Sequence, residues 1–228
     1  MNFSIVKKAV LVAAMATSLT ACMTTGPALK SSNSESVAGI EARLPYANYA
    51  SYFGYIDKGT APQGTYKEKD AYYLFVWVPA AIDEIGVSMV SPASGTPSDT
   101  DFVSDAYTKL NESNPDTFFD TYIVLDRLDI VDSAKISKGG KSLQTLTYND
   151  DSSELPANPG GSTYNSLIRH VSEVSSPTKA LVRGVYRISF TSFRSAIEGS
   201  FEATVGTNVP GIKIAKSLEE LQALVNEG

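Results

Sequence analysis

Cys22 is the residue with the most defined chemistry in this sequence, and it is the chain's one cysteine. It closes Leu19-Thr20-Ala21-Cys22, a Leu-x-Ala-Cys lipobox. Upstream, Lys7 and Lys8 lead into the apolar run Ala9 to Ala16, and small residues precede the cut site, as in an export signal. A thiol in this setting is acylated, and cleavage leaves it as the first residue of the mature chain. A plain secretory signal with an incidental cysteine and a membrane-spanning helix are the competing readings. The apolar run is far shorter than the ~20 residues that a spanning helix needs. With Cys22 spent on lipid, the mature chain has no thiol for a disulfide, a metal or nucleophilic catalysis.

The carboxylates are the next candidates. Asp120 sits in Phe118-Phe119-Asp120-Thr121-Tyr122, where a charge among aromatic rings needs a partner. Asp150 and Asp151 open a polar stretch, and in a loop both can turn toward one cation. Calcium takes six to eight hard oxygens, which loop carboxylates, a hydroxyl and a carbonyl supply. The acids do not follow the EF-hand spacing, and a solvated acidic turn remains the alternative. His170 is the lone histidine. Although histidine is the commonest acid–base catalyst, no triad partner can be named for it. No Gly-rich phosphate loop follows a strand. Trp77 and the tyrosines suit a carbohydrate surface, but within continuous strands such rings more often form core.

Elements must position these groups. Residues 1–21 form the signal, and 22–42 carry the lipidated cysteine and a tether almost free of large apolar side chains. Such a tether reaches roughly 25 Å. Residues 43–228 read as a single domain. Ala71 to Val78 is an aromatic and β-branched run, a strand buried on both faces. Pro79 is expected to end it and open a helical turn over 80–85. Val87 to Val90 reads as a strand, and 91–100 as a loop. Asp101 is expected to cap a helix over 102–110. Phe119 to Val131, Leu143 to Tyr148 and Tyr164 to Val171 are further strand candidates. Lys179 to Phe193 alternates with period two, implying one wet face. Gly199 to Val205 alternates likewise, and the two runs are expected to pair as a hairpin. Ser217-Leu218-Glu219-Glu220 is a capping box opening a terminal helix. The pattern predicts a mainly β fold, a jelly-roll-like β-sandwich with a few short helices.

Charge narrows the function classes. The chain carries −6, and loss of the two signal lysines takes this by two to −8. That balance argues against nucleic acid, whose affinity comes mainly from Lys and Arg on phosphates. It also argues against adsorption to anionic lipid, so membrane attachment falls to the acyl chains on Cys22. One chain anchors only marginally, at about 0.8 kcal/mol per buried CH₂, so stable residence needs several. Met23 is not the aspartate that commonly holds lipoproteins at the inner membrane, which points to the outer one.

Seven segments resemble the family of the major surface lipoprotein of leptospiral outer membranes, a LipL-type calcium-binding jelly-roll lipoprotein family. They are Tyr52-Phe53-Gly54-Tyr55, Ala71 to Ala80, Val103-Ser104-Asp105-Ala106, Phe119-Asp120-Thr121, Tyr164 to Leu167, Leu181 to Thr191 and Gly199-Ser200-Phe201. The likeness runs from about Leu44 to Ile212. It implies calcium ligands at Asp120, Thr121, Asp150, Asp151 and the carbonyl of Tyr164. This chain departs from the family in two places. The family's acidic loop is a longer aspartate run, and its C-terminal helix is longer and lysine-rich, whereas the last lysine here is Lys216.

These readings lead to one expectation: a non-enzymatic, surface-exposed lipoprotein of the outer membrane, an adhesin-like module binding calcium and an extracellular-matrix or polysaccharide ligand. A self-associating envelope protein, with a homodimer face among Tyr46 to Tyr55, is one alternative. A carboxylate-dependent hydrolase of surface polysaccharide is the other, because the fold class hosts both binding and catalysis.

Overall fold

The computed structural model describes residues 29, 34–37, 40–43, 46, 48–59, 61–194, 198–209 and 211–228. The signal, Cys22 and the remainder of the tether lie outside the described residues. The strands are β1 (Ser34–Val37), β2 (Ile40–Arg43), β3 (Asn48–Ile56), β4 (Gly64–Tyr66), β5 (Lys69–Ala81), β6 (Glu84–Val90) and β7 (Phe102–Val103). Helix α1 (Asp105–Leu110) follows, then β8 (Thr121–Leu128), a 3-10 turn at Ser133–Lys138, β9 (Ser142–Asn149) and β10 (Ser166–Val171). The chain ends with β11 (Val182–Ser192), β12 (Gly199–Thr207), β13 (Lys213–Ala215) and α2 (Leu218–Glu227). Among the described residues, no helix is long and apolar enough to cross a membrane.

Two sheets face each other, one in the order β10-β6-β12-β3-β7 and the other β13-β5-β11-β8-β9, with β4 paired on β5. From β9 onward each successive strand lies in the opposite sheet. This alternation gives a mainly β, jelly-roll-like sandwich. The inner faces close on one core containing Leu74, Val76, Ile85, Val87, Ile123, Leu125, Ile188, Phe190 and Phe201. Each such side chain contributes about 1.5–3 kcal/mol by leaving water.

The strand-to-strand alternation corrects the expected hairpin. β11 pairs with β5 and β8, whereas β12 pairs with β3 and β6. Both alternating runs aim an apolar face at the same core, so they stack across it, with Phe190 and Phe201 6.0 Å apart. The far face of β11 is exposed only at Arg183 and partly at Arg187. Ser189 and Thr191 are fully buried. Farther along the same sheet, α2 and the 3-10 turn cover Phe75, Trp77 and Val185 with Leu221 and Ile136. Ser217 caps α2 as the capping box requires, its hydroxyl accepting from the Glu220 N–H at 3.1 Å.

Pro79 does not end its strand. β5 continues to Ala81 because the β11 register skips there: Pro79 and Ala80 bulge opposite Arg183 alone, and a bulge needs no N–H from proline. Asp101 is not the cap of α1 either. Its carboxylate accepts from Ser98, and Ser104 caps the helix, accepting from Tyr107 N–H at 3.1 Å. Phe102 and Val103 instead join β3 in parallel. β1 and β2 form an antiparallel ladder inside the stretch read as a tether. Leu29 is fully buried, and the Tyr46 ring lies over Gly86 and Gly206.

Candidate functional site

Asp120 immediately precedes β8, on a segment held from three sides. Phe119 N–H donates to Ser91 Oγ at 3.1 Å, and that hydroxyl donates to the Ser200 carbonyl at 2.7 Å. Phe193 N–H donates to the Asp120 carbonyl at 2.9 Å. Gly199 has φ +156, and a Cβ there would lie 2.7 Å from the Thr117 carbonyl oxygen, so only glycine lets the two backbones meet. The loop from Asp150 to Asn165 is pinned in turn. Asn149 Oδ1 accepts from Leu167 N–H, Asn165 donates to the Pro156 carbonyl, and Asn165 Oδ1 accepts from Ser91 N–H. One polar network therefore ties the loop to the segment bearing Asp120.

The carbonyl of Tyr164 accepts from both Thr121 N–H at 3.0 Å and Thr121 Oγ1 at 3.1 Å. Thr121 Oγ1 also lies 2.6 Å from Ser166 Oγ. The single Thr121 hydroxyl proton serves either the Tyr164 carbonyl or Ser166, so this hydroxyl and this carbonyl are held side by side.

Asp120 is the strained member. Its side chain is 10% exposed, and Oδ2 is 3.5 Å from the Arg194 guanidinium. Oδ1 is buried with no hydrogen-bond partner, which is costly for a carboxylate. Burial pushes the Asp120 carboxyl above its ordinary value, and the charges of Asp151 and Asp150 add to the push, while Arg194 and Lys69 oppose it. The loop acids thus act on Asp120 through space. Among the described residues, no three His, Cys, Asp or Glu side chains form a ready-made metal cluster. In donor type alone the set suits a hard cation: one orphaned buried carboxylate oxygen, two acids that act on it through space, a hydroxyl and a carbonyl, all oxygens of the type calcium selects.

Arg194 escaped the sequence reading. Its guanidinium also lies over the Tyr164 ring at 5.8 Å. Nothing in local spacing links residue 194 to 120; the two meet because the end of β11 pairs antiparallel with the start of β8.

The remaining candidates have structural roles. His170 is buried, its Nε2 2.9 Å from the Lys179 carbonyl. Trp77 is buried in the second core with Arg183 over its ring. Tyr46, Tyr52 and Tyr55, expected at a dimer face, are buried too, while Tyr49 is exposed. A cavity of about 300 Å³ holds two further carboxylates, Asp101 and Glu202. Glu202 Oε2 accepts from Ser94 N–H, Ser94 Oγ and Gly95 N–H, and Asp101 Oδ2 accepts from Ser98 N–H and Oγ. Both therefore fasten the loop between β6 and β7.

Residues 40–214 match the family model Lipl32, described as a surface lipoprotein of the Spirochaetales order. No curated protein matches the chain significantly.

Proposed function

The chain belongs to the Lipl32 family of Spirochaetales surface lipoproteins, and on that premise we propose that it is a non-enzymatic, calcium-stiffened binding module. Acylated Cys22 holds it at the outer membrane, and the sandwich presents an adhesin-like surface to an extracellular ligand. The observation that carries the calcium reading is Asp120 Oδ1, buried without a partner beside two more acids. A cation there would satisfy that oxygen and cancel the repulsion. Asp120, Thr121, Asp150, Asp151 and the Tyr164 carbonyl would hold it, and the ion would supply cross-linking of the loop to the sheet.

A ligand that binds only the folded state stabilises it by RT ln(1 + [L]/Kd), about 2.7 kcal/mol at a hundredfold excess over Kd. For a domain of this size that raises the melting temperature by roughly 5–10 °C. The expected result is such a rise with calcium, lost in Asp150→Ala/Asp151→Ala. An equal rise in the double variant rules the site out.

The competing reading is a hydrolase, and the cavity holding Asp101 and Glu202 is the place to look for it. The commitment of both carboxylates to loop N–H and hydroxyl groups favours the binding reading. Reproducible cleavage of glycan pools would reverse that preference.

A further inference from the structure

The outer face of the six-stranded sheet is covered by α2 and the 3-10 turn around Phe75 and Trp77. At its other end four aromatic rings gather, with no helix over them among the described residues. Tyr122 is the hub, 6.2 Å from Tyr66, 5.9 Å from Tyr148 and 6.1 Å from Phe193 between ring centroids. Ile123 and Leu125 enter the core, so Tyr122 on the same strand faces outward, and Tyr148 stands opposite Val124 on that outer side. Tyr148 is 62% and Phe193 49% exposed. Exposed rings in such number need a reason in a chain that hides most of its aromatic side chains.

Size and charge narrow the occupant. A large aromatic side chain presents about 200 Å², so Tyr148 and Phe193 together leave roughly 200–250 Å² open. A stable protein interface needs about 800 Å² per partner, which this patch does not approach. Asp150 lies two residues beyond Tyr148, just past the end of β9, and its carboxylate disfavours an anion. Two cations lie at the rings and both are engaged: Lys67 is 5.3 Å from the Tyr66 ring centroid, and Lys69 donates to the carbonyls of Ser192 and Phe193. What remains is a small, uncharged ligand with flat apolar faces and many hydroxyl groups.

We propose that Tyr66, Tyr122, Tyr148 and Phe193 form a platform for a neutral saccharide. The ring faces take the sugar's C–H faces, and the tyrosine hydroxyls take its hydroxyl groups. This gives the ligand-binding reading above a site and a ligand class; it rests on that reading but not on calcium.

The test titrates the full-length protein in detergent with maltohexaose, cellohexaose, mannohexaose and chitohexaose by calorimetry, once with calcium and once with EDTA. At least one sugar binds under both conditions. Tyr148→Ala weakens it on the order of tenfold, the loss of one stacked ring, while Tyr148→Phe keeps most of the affinity. Both variants melt with the wild type, because Tyr148 is largely exposed. The proposal is overturned if no sugar of the panel binds, or if Tyr148→Ala and Tyr122→Ala bind as wild type does. Sedimentation showing a dimer that Tyr148→Ala dissolves also overturns it. A calcium-induced melting rise without sugar binding sinks the platform alone; sugar binding in EDTA without that rise sinks the calcium reading alone.

Discussion

Gly54 and Phe201 offer a quantitative test of the core that carries the site. They are register partners on β3 and β12. A Cβ on Gly54 would lie 2.2 Å from Phe201 Cζ and 2.3 Å from Cε1. The ring cannot yield, because Tyr52, Tyr72, Phe119 and Phe190 hem it in at centroid distances of 5.7–6.3 Å. Gly54→Ala therefore overpacks the core and costs about 1–3 kcal/mol. Phe201→Ala removes a fully buried ring and costs about 3–5 kcal/mol. In the double variant the new methyl enters the space the ring vacated. The Gly54→Ala penalty should then vanish, giving a coupling on the order of 1–3 kcal/mol. Urea unfolding of the four proteins at one pH measures it. Additivity to within about 0.5 kcal/mol would refute the packing argument, since sites that do not touch add in that way.

Three more outcomes follow from named contacts. Asp120 has its folded-state carboxyl above the ordinary value near 4. Above that value the native state holds the proton longer than the unfolded chain, so calcium-free stability falls as pH rises through the window. Asp120→Asn should flatten that fall in urea titrations across pH, and an unchanged slope would count against it. Glu202→Gln places an amide N–H among three donors and should cost about 1–3 kcal/mol. Limited proteolysis should then cut first between β6 and β7, and cleavage elsewhere would contradict the latch. Leu221→Ala should cost about 2–5 kcal/mol by emptying the contact of α2 with the sheet. Its circular dichroism should lose helix signal before strand signal on heating, whereas simultaneous loss would show α2 to be integral to the sandwich.

What the sequence made legible depended on range. Ala71 to Val78 was readable as a doubly buried strand because a continuous apolar run has few other solutions. The Ser217 cap was equally plain, since both its partners lie within one turn. Hairpin logic failed for β11 and β12 because proximity in sequence says nothing of which sheet a strand joins. Pro79 misled because the bulge that tolerates it is set by the register of a strand a hundred residues away. The same limit applied at the site. Acid type and loop position marked Asp120, Asp150 and Asp151 as candidates, and the family likeness added Thr121 and Tyr164. The Arg194 contact was invisible, because only the pairing of β11 with β8 creates it. The wet face predicted for β11 held at Arg183 but failed at Ser189 and Thr191, because the cover there comes from other elements.

A crystal structure of the protein grown with calcium bears most directly on the central claim. The account predicts one ion bonded at about 2.3–2.6 Å to oxygens of Asp120, Thr121, Asp150, Asp151 and the Tyr164 carbonyl, with Arg194 drawn away from Asp120. An ion bound elsewhere, or Asp120 still paired with Arg194 at saturating calcium and no ion beside it, would contradict the account.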